Sequence, residues 1–145
     1  MAYLLTTTGN ILRKQLPCRD INDIKVHDIN PEYVERDEIY QASLGGETFL
    51  IMHGINDVSD LNIQLPINQT LRRFFPDSPY VGDILAVRTF EDDTINPEPF
   101  DLDNILNQFH LTYILGNWFF AENSPEFEEM ELKLDQLGLN RRSRP

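Results

Sequence analysis

Four aspartates offer the most direct chemistry in this sequence. Asp92 and Asp93 are adjacent, and Asp101 and Asp103 are separated by one residue. Carboxylates that converge on one divalent cation can support metal-assisted hydrolysis, and on a strand the second pair would point to the same face. The same residues also fit a loop and a helix cap, and the pattern favours that interpretation. We therefore predict no metal site and keep a metal-dependent hydrolase at this acidic loop as an alternative.

Other residues that often carry catalysis are scattered. His27, His53 and His110 form no local pair with zinc-ligand spacing, and one cysteine, Cys18, adds little to a zinc site. Arg19 beside Cys18 would lower the pKa of the thiol and make it reactive, but no base is near in sequence, so a structural or surface cysteine is favoured. Serine-nucleophile, phosphate-loop and dinucleotide motifs are absent. The sequence favours a protein that is not an enzyme and has no cofactor.

Two arginines beside two aromatic residues form a possible nucleic-acid patch. Arg72 and Arg73 precede Phe74 and Phe75, and Arg88 lies at the end of the next predicted strand. Arginines hold phosphates and aromatic rings stack on bases, and small β-barrels use both. A short amphipathic helix with its phenylalanines in the core explains the same pattern. A nucleic-acid-binding β-barrel is therefore an alternative, and the net charge disfavours it.

A cluster of aromatic residues near the C-terminus favours an interaction surface. Tyr113, Trp118, Phe119 and Phe120 fall within one predicted hairpin, where alternation places some of them on each face. Aromatic residues are enriched at protein interfaces. We predict that these four residues, together with Asp92, Asp93, Asp101 and Asp103, bind a partner protein. Self-association through the hairpin or the last predicted helix is part of this hypothesis.

Charge is unevenly distributed along the chain. The 145 residues include 24 acids and 12 bases, and the net charge is −12. The first 19 residues contain Arg13, Lys14 and Arg19 and no acid, residues 140–145 contain three arginines, and residues 20–139 contain six bases and all of the acids. Such a composition opposes a general nucleic-acid coat protein or a polybasic membrane binder. An acidic body with basic ends attracts a cationic partner or its own tail.

The expected compartment is the cytoplasm. The single cysteine excludes an internal disulfide and fits a reducing environment. The first residues lack the pattern of a signal peptide, and no apolar run approaches the roughly 20 residues that a membrane-spanning helix needs. We therefore expect no association with membranes.

Paired segments of β-favouring residues predict three hairpins. They join residues 4–8 with 11–13, 40–44 with 47–51, and 112–115 with 118–120, across the glycine-containing pairs 9–10, 45–46 and 116–117. Two further strands are expected at 61–65 and 84–87. Asn68 and Asp101 are predicted to cap short helices, and Ser124 a longer one that runs to 137. One long helix over 101–121 is the alternative to the third hairpin.

These elements predict an α+β fold. We expect a β-rich antiparallel curled sheet, or a partly open barrel, with two or three short helices. Residues 1–139 would form one globular domain, and 140–145 a basic C-terminal tail. The predicted function is a non-enzymatic acidic interaction domain, in a regulatory or inhibitory role. Its partner would be another protein, which a basic surface would suit, or a second copy of the chain.

Overall fold

The chain forms an open antiparallel sheet with short helices, as a computed structural model shows for residues 1–33, 38–45, 47–53, 65–114, 117–122, 132 and 136. Within this part of the chain, five strands lie in the order β2-β1-β5-β4-β3, and two more form a separate hairpin. The strands are β1 (Ala2–Leu5), β2 (Ile11–Lys14), β3 (Ile39–Ser43), β4 (Thr48–His53), β5 (Ile84–Arg88), β6 (Phe109–Ile114) and β7 (Asn117–Glu122). The helices are α1 (Val26–Ile29), α2 (Gln69–Arg72) and α3 (Leu102–Asn107), with a 3₁₀ turn at Ile21–Asp23.

The inner strands β4 and β5 of the five-stranded sheet are buried on both faces. Successive side chains of a strand point to opposite faces, so the apolar runs of β4 and β5 supply two cores at once. One face packs against α2, α3 and the β6–β7 hairpin. The other packs against the segment that contains the 3₁₀ turn and α1, through Ile21, Ile24 and Ile29. The sheet is therefore the middle layer of three.

Buried Asn68 ties α2 to the sheet. Its Oδ1 accepts a hydrogen bond from the backbone N–H of Leu71 at 2.8 Å, which caps the helix. Its Nδ2 donates to the carbonyl oxygens of Leu5 and Gly82, each at 2.8 Å. One side chain thus joins a helix to β1 and to the turn before β5.

The turn before β5 depends on a glycine and a carboxylate. Gly82 has a φ of +75°, a backbone conformation that glycine adopts easily. Asp83 accepts from the backbone N–H of Thr7 at 3.0 Å and from Nδ2 of Asn30 at 3.1 Å. The N–H of Asp83 donates to Oη of Tyr33 at 2.5 Å. These bonds hold the segment that follows α1 and the connection between β1 and β2 to the same end of the sheet.

The predicted fold class is confirmed: the structure is an α+β fold with an open antiparallel sheet and short helices. The three predicted hairpins are present, but none has the predicted two-residue connection: Leu5 pairs with Ile11, Ser43 with Phe49 and Ile114 with Asn117. Asn68 and Asp101 cap α2 and α3 as predicted.

The chain over 101–121 is a short helix followed by the β6–β7 hairpin, so the alternative of one long helix is wrong. Helix α1 and the 3₁₀ turn were not predicted. Residues 61–64 of the strand predicted over 61–65 lie outside the described residues. The whole 140–145 tail also lies outside them. Two residues of the predicted last helix, Leu132 and Gln136, are described, and both are helical.

Candidate binding groove

The four aspartates predicted to bind a partner occupy a turn and a helix start. Asp92 Oδ1 accepts from the N–H of Thr94 at 3.1 Å, and hydrogen bonds from Thr94 lower the pKa of this carboxyl. Asp93 adopts a φ of +68° in the same turn. Asp101 Oδ1 accepts from the N–H of Asn104 at 3.2 Å and caps α3. Asp103 in the first turn of α3 is exposed. Two of these carboxylates therefore stabilise local backbone.

The three predicted nucleic-acid-binding arginines lie at two ends of the sheet. Helix α2, which carries Arg72, is anchored to the Leu5 end of β1, next to the start of β5. Arg88 is the last residue of β5 and pairs with Thr48, at the other end of that strand. Arg72 Nε also donates to the carbonyl of Ser78 at 3.1 Å. Arg73, which follows α2, is exposed.

The aromatic hairpin contributes to the interior of the protein. Phe120 packs against Phe75 and Tyr80, with ring centroids 5.3 Å and 5.5 Å away. Phe119 is also buried, on the opposite face of β7. Trp118 is half-buried, and its carbonyl accepts from Tyr80 Oη at 3.4 Å. The side chain of Tyr113 lies outside the described part of the chain. Phe119 and Phe120 therefore stabilise the fold in this conformation.

A groove at the end of the sheet brings together residues that are far apart in sequence. One wall consists of residues 13–19, which are the end of β2 and the chain that follows it. The other wall is the loop after β5. The walls are held by backbone bonds from Ile95 N–H to the carbonyl of Arg19 at 2.7 Å and from Ile21 N–H to that of Asp93 at 3.0 Å. Both hydrogen bonds join the chain at residues 19–21 to the loop after β5, so they hold the two walls of the groove together.

The groove gathers the basic residues of the N-terminal segment. Arg13, Lys14 and Arg19 all line it, and both arginines are exposed. Lys14 Nζ donates to the carbonyl of Ile29 at the end of α1, at 3.0 Å. Among the described residues, no acidic side chain forms a salt bridge with Arg13 or Arg19. The groove therefore contains two guanidinium groups and one anchored ammonium group.

Apolar side chains complete the groove. Leu16, Phe90, Ile95 and Pro97 line it beside the cations, and the groove, which is open to solvent, has a volume of about 680 Å³. Phe90 is 47% exposed, although large apolar side chains are usually buried. This volume lies in the range of ligand clefts, which combine an apolar lining with a few polar groups. We call this feature, lined by residues of 13–19 and 90–97, the basic groove.

The thiol of Cys18 in this groove is not activated. Burial raises its pKa, and the charges of Asp28, Asp23 and Asp20 raise it further. The expectation from sequence that Arg19 would lower this pKa is therefore wrong, because burial disfavours the thiolate and the charges of the three aspartates disfavour it further. A thiol with a raised pKa carries less of the thiolate that acts as a nucleophile.

Within the described ranges, no three side chains of histidine, cysteine, aspartate or glutamate are grouped so that they could hold a metal ion. None of the helices in the same ranges has the length and apolar character needed to cross a membrane. No family model matches the sequence, and neither a curated protein nor a solved structure is significantly similar to the chain. The groove must therefore be interpreted from its own chemistry.

In the sequence, the three bases of the groove are visible as a charge imbalance and not as a site. The missing signal was Phe90, which follows β5 at the start of an acidic turn. No local pattern in the sequence predicts that this turn contacts the segment after β2. The bridge between Asp20 and Thr94 makes that connection.

Proposed function

We propose that this protein is a non-catalytic interaction domain that binds a short acidic segment of a partner protein in the basic groove. The observation that supports the proposal is the juxtaposition of three cationic side chains with exposed Phe90 in one groove of a chain whose net charge is −12. Carboxylates of the ligand would pair with Arg13 and Arg19, and its apolar side chains would cover Phe90. Arginine is suited to this role because its planar group binds a carboxylate through two hydrogen bonds.

The surroundings of the groove favour a protein ligand over a nucleic acid. Glu91, Asp92 and Asp93 follow Phe90 directly, and Asp20 follows Arg19. Double-stranded DNA carries one negative charge per about 1.7 Å of its axis, so a bound nucleic acid would bring phosphates against this acidic rim. A peptide with two or three carboxylates meets the cations and leaves the rim in water. The rim therefore selects a ligand of small extent and limited charge.

Affinity capture from a native lysate, eluted with rising salt, tests this proposal when it is done with matched variants. We expect Arg13→Glu combined with Arg19→Glu to lose the captured partner, because the substitutions reverse the groove charge. The control is Arg73→Glu, which changes an exposed arginine outside the groove and should retain the partner. A partner that binds the groove variant and the wild-type protein equally would overturn the proposal.

The same capture separates the other hypotheses. Binding of a basic partner through Asp92, Asp93, Asp101 and Asp103 stays a prediction, and replacing these four residues by asparagine would abolish that binding while leaving groove binding intact. Nuclease-sensitive capture that is lost in Arg73→Glu would support the nucleic-acid alternative. Capture of the chain itself would support self-association.

A further inference from the structure

The strand that leads into the basic groove has an open edge. β2 pairs with β1 on one side, and it is the outermost strand of the five-stranded sheet. Among the described residues, no strand lies against its other side. The backbone groups on an open edge remain able to pair with another chain. The last two residues of β2, Arg13 and Lys14, also line the basic groove.

The register identifies which backbone groups point outward. The N–H of Thr6 donates to the carbonyl of Asn10 at 2.9 Å, so this opposed pair is a hydrogen-bonded one. Hydrogen-bonded and non-hydrogen-bonded pairs alternate along an antiparallel ladder. Leu12 and Lys14 therefore bond to β1, whereas the N–H and carbonyl groups of Ile11 and Arg13 point away from the sheet.

The side chains of β2 complement a strand of alternating character. Arg13 pairs with Tyr3 and projects on the face that packs against α3, where it is exposed. Leu12 projects on the opposite face and is 51% exposed. A strand added beside β2 would place alternate residues near Arg13 and near Leu12. The side chains that fit are acidic on the first face and apolar on the second.

We propose that the acidic segment binds as an additional β-strand along the open edge of β2, with its acidic side chains on the face of Arg13 and one end entering the basic groove. This inference rests on the proposed function and adds the conformation and position of the ligand. The outward N–H and carbonyl groups of Ile11 and Arg13 provide main-chain hydrogen bonds, which supply affinity in strand addition. The groove cations and Leu12 provide selectivity for sequence.

Amide hydrogen exchange with a defined peptide tests the inference. The probe is an acetylated and amidated octapeptide of alternating glutamate and valine, and the control peptide replaces each glutamate by lysine. We expect the amides of Ile11 and Arg13 to exchange fast in the free protein and at least about tenfold more slowly with the acidic peptide. The amides of Leu12 and Lys14 are already bonded to β1, so they should change little.

Each outcome of this titration separates the two proposals. Binding of the acidic peptide without protection of Ile11 and Arg13 would overturn strand addition and leave the groove function standing. Amides of these two residues that are already protected in the free protein would overturn it as well, because the edge would then be occupied. No binding of the acidic peptide would overturn both proposals and leave Arg13 and Lys14 as charges that protect an edge strand from aggregation.

A pair of substitutions provides an independent check. Arg13→Ala and Arg13→Pro both remove the guanidinium group, but only proline also removes the outward N–H, which β1 does not use. Arg13→Pro should therefore bind the acidic peptide about fivefold more weakly than Arg13→Ala, which corresponds to one backbone hydrogen bond. Equal affinities of the two folded variants would overturn the inference. If Arg13→Pro does not fold, the exchange experiment on the wild-type protein decides.

Discussion

Replacing Asn68 by alanine tests the interpretation that one side chain joins α2 to the sheet. The asparagine is fully buried, and its amide makes three hydrogen bonds, all at 2.8 Å. Loss of the helix cap costs about 1 kcal/mol. Loss of each of the two bonds to the carbonyls of Leu5 and Gly82 costs about 1 kcal/mol more. We therefore expect Asn68→Ala to lower the free energy of unfolding by about 3 kcal/mol.

This loss is measurable and leaves a folded protein. Domains are stable by about 5–15 kcal/mol, and in a chain of this size about 3 kcal/mol corresponds to a fall in Tm of roughly 10 °C. Urea unfolding followed by circular dichroism gives the free energy, and a thermal scan gives the Tm. The matched control is Gln69→Ala, which truncates the exposed neighbour and should change stability by less than about 0.5 kcal/mol.

A second substitution distinguishes the cap from the two carbonyl contacts. Asn68→Asp keeps an acceptor for the N–H of Leu71 but places a carboxylate against two carbonyl oxygens. We expect it to be at least as destabilised as Asn68→Ala at pH 7. Relative to the wild-type protein at the same pH, it should recover stability at pH 4, where a protonated carboxyl can donate again. If Asn68→Ala were no less stable than Gln69→Ala, the interpretation of Asn68 would be refuted.

Three further predictions concern the turn before β5 and the thiol. Gly82→Ala should lower the free energy of unfolding, measured in urea, by at least about 1 kcal/mol. The reason is that φ is +75° and that a Cβ would lie 2.8 Å from Leu65 Cδ1 and 2.9 Å from Tyr33 Oη. Unchanged stability would contradict this prediction. Burial raises the pKa of Tyr33 to about 12, so ultraviolet titration should show a late component that Tyr33→Phe removes. The stability that Tyr33 contributes should be complete below about pH 10 and should fall as the pH rises through that pKa of about 12. Cys18 should react with iodoacetamide at pH 8 more slowly than cysteine in a short peptide, since its pKa is raised; equal rates would contradict the assigned environment.

Local features of the fold were predictable because their causes are local. A helix cap depends on a side chain and on a backbone N–H only two or three residues later, so both partners lie in the same short stretch of sequence. Both predicted caps of short helices, Asn68 and Asp101, act as caps. Turn residues between β-favouring segments located the hairpins. The first connection was misjudged because Thr6 binds Asn10 through its side chain and backbone, which widens the loop beyond two residues.

The groove was not predictable because it depends on pairing between distant segments. Arg19 is next to Cys18 in sequence, yet the acids that raise the thiol pKa come from the following 3₁₀ turn and α1. Phe119 and Phe120 formed a predicted interaction surface because the sequence does not show that Phe75 and Tyr80 pack against Phe120. The order of the strands in the sheet is likewise set by the whole chain. An edge strand and a strand next to β5 can show the same alternation of apolar residues, so the sequence does not distinguish them.

The position of β1 between β2 and β5 affects the order in which the sheet can be completed during synthesis. β1 and β2 leave the ribosome before the other strands of the sheet and can form a hairpin, but β1 also pairs with β5, which is made about 80 residues later. Until then, the apolar edge of the hairpin that faces β5 has no partner, and Asn68 and Asp83 have not yet emerged to bind it. Contacts of such long sequence separation slow folding. At a synthesis rate of about 5–20 residues per second, the edge of β1 that pairs with β5 therefore stays unpaired for several seconds.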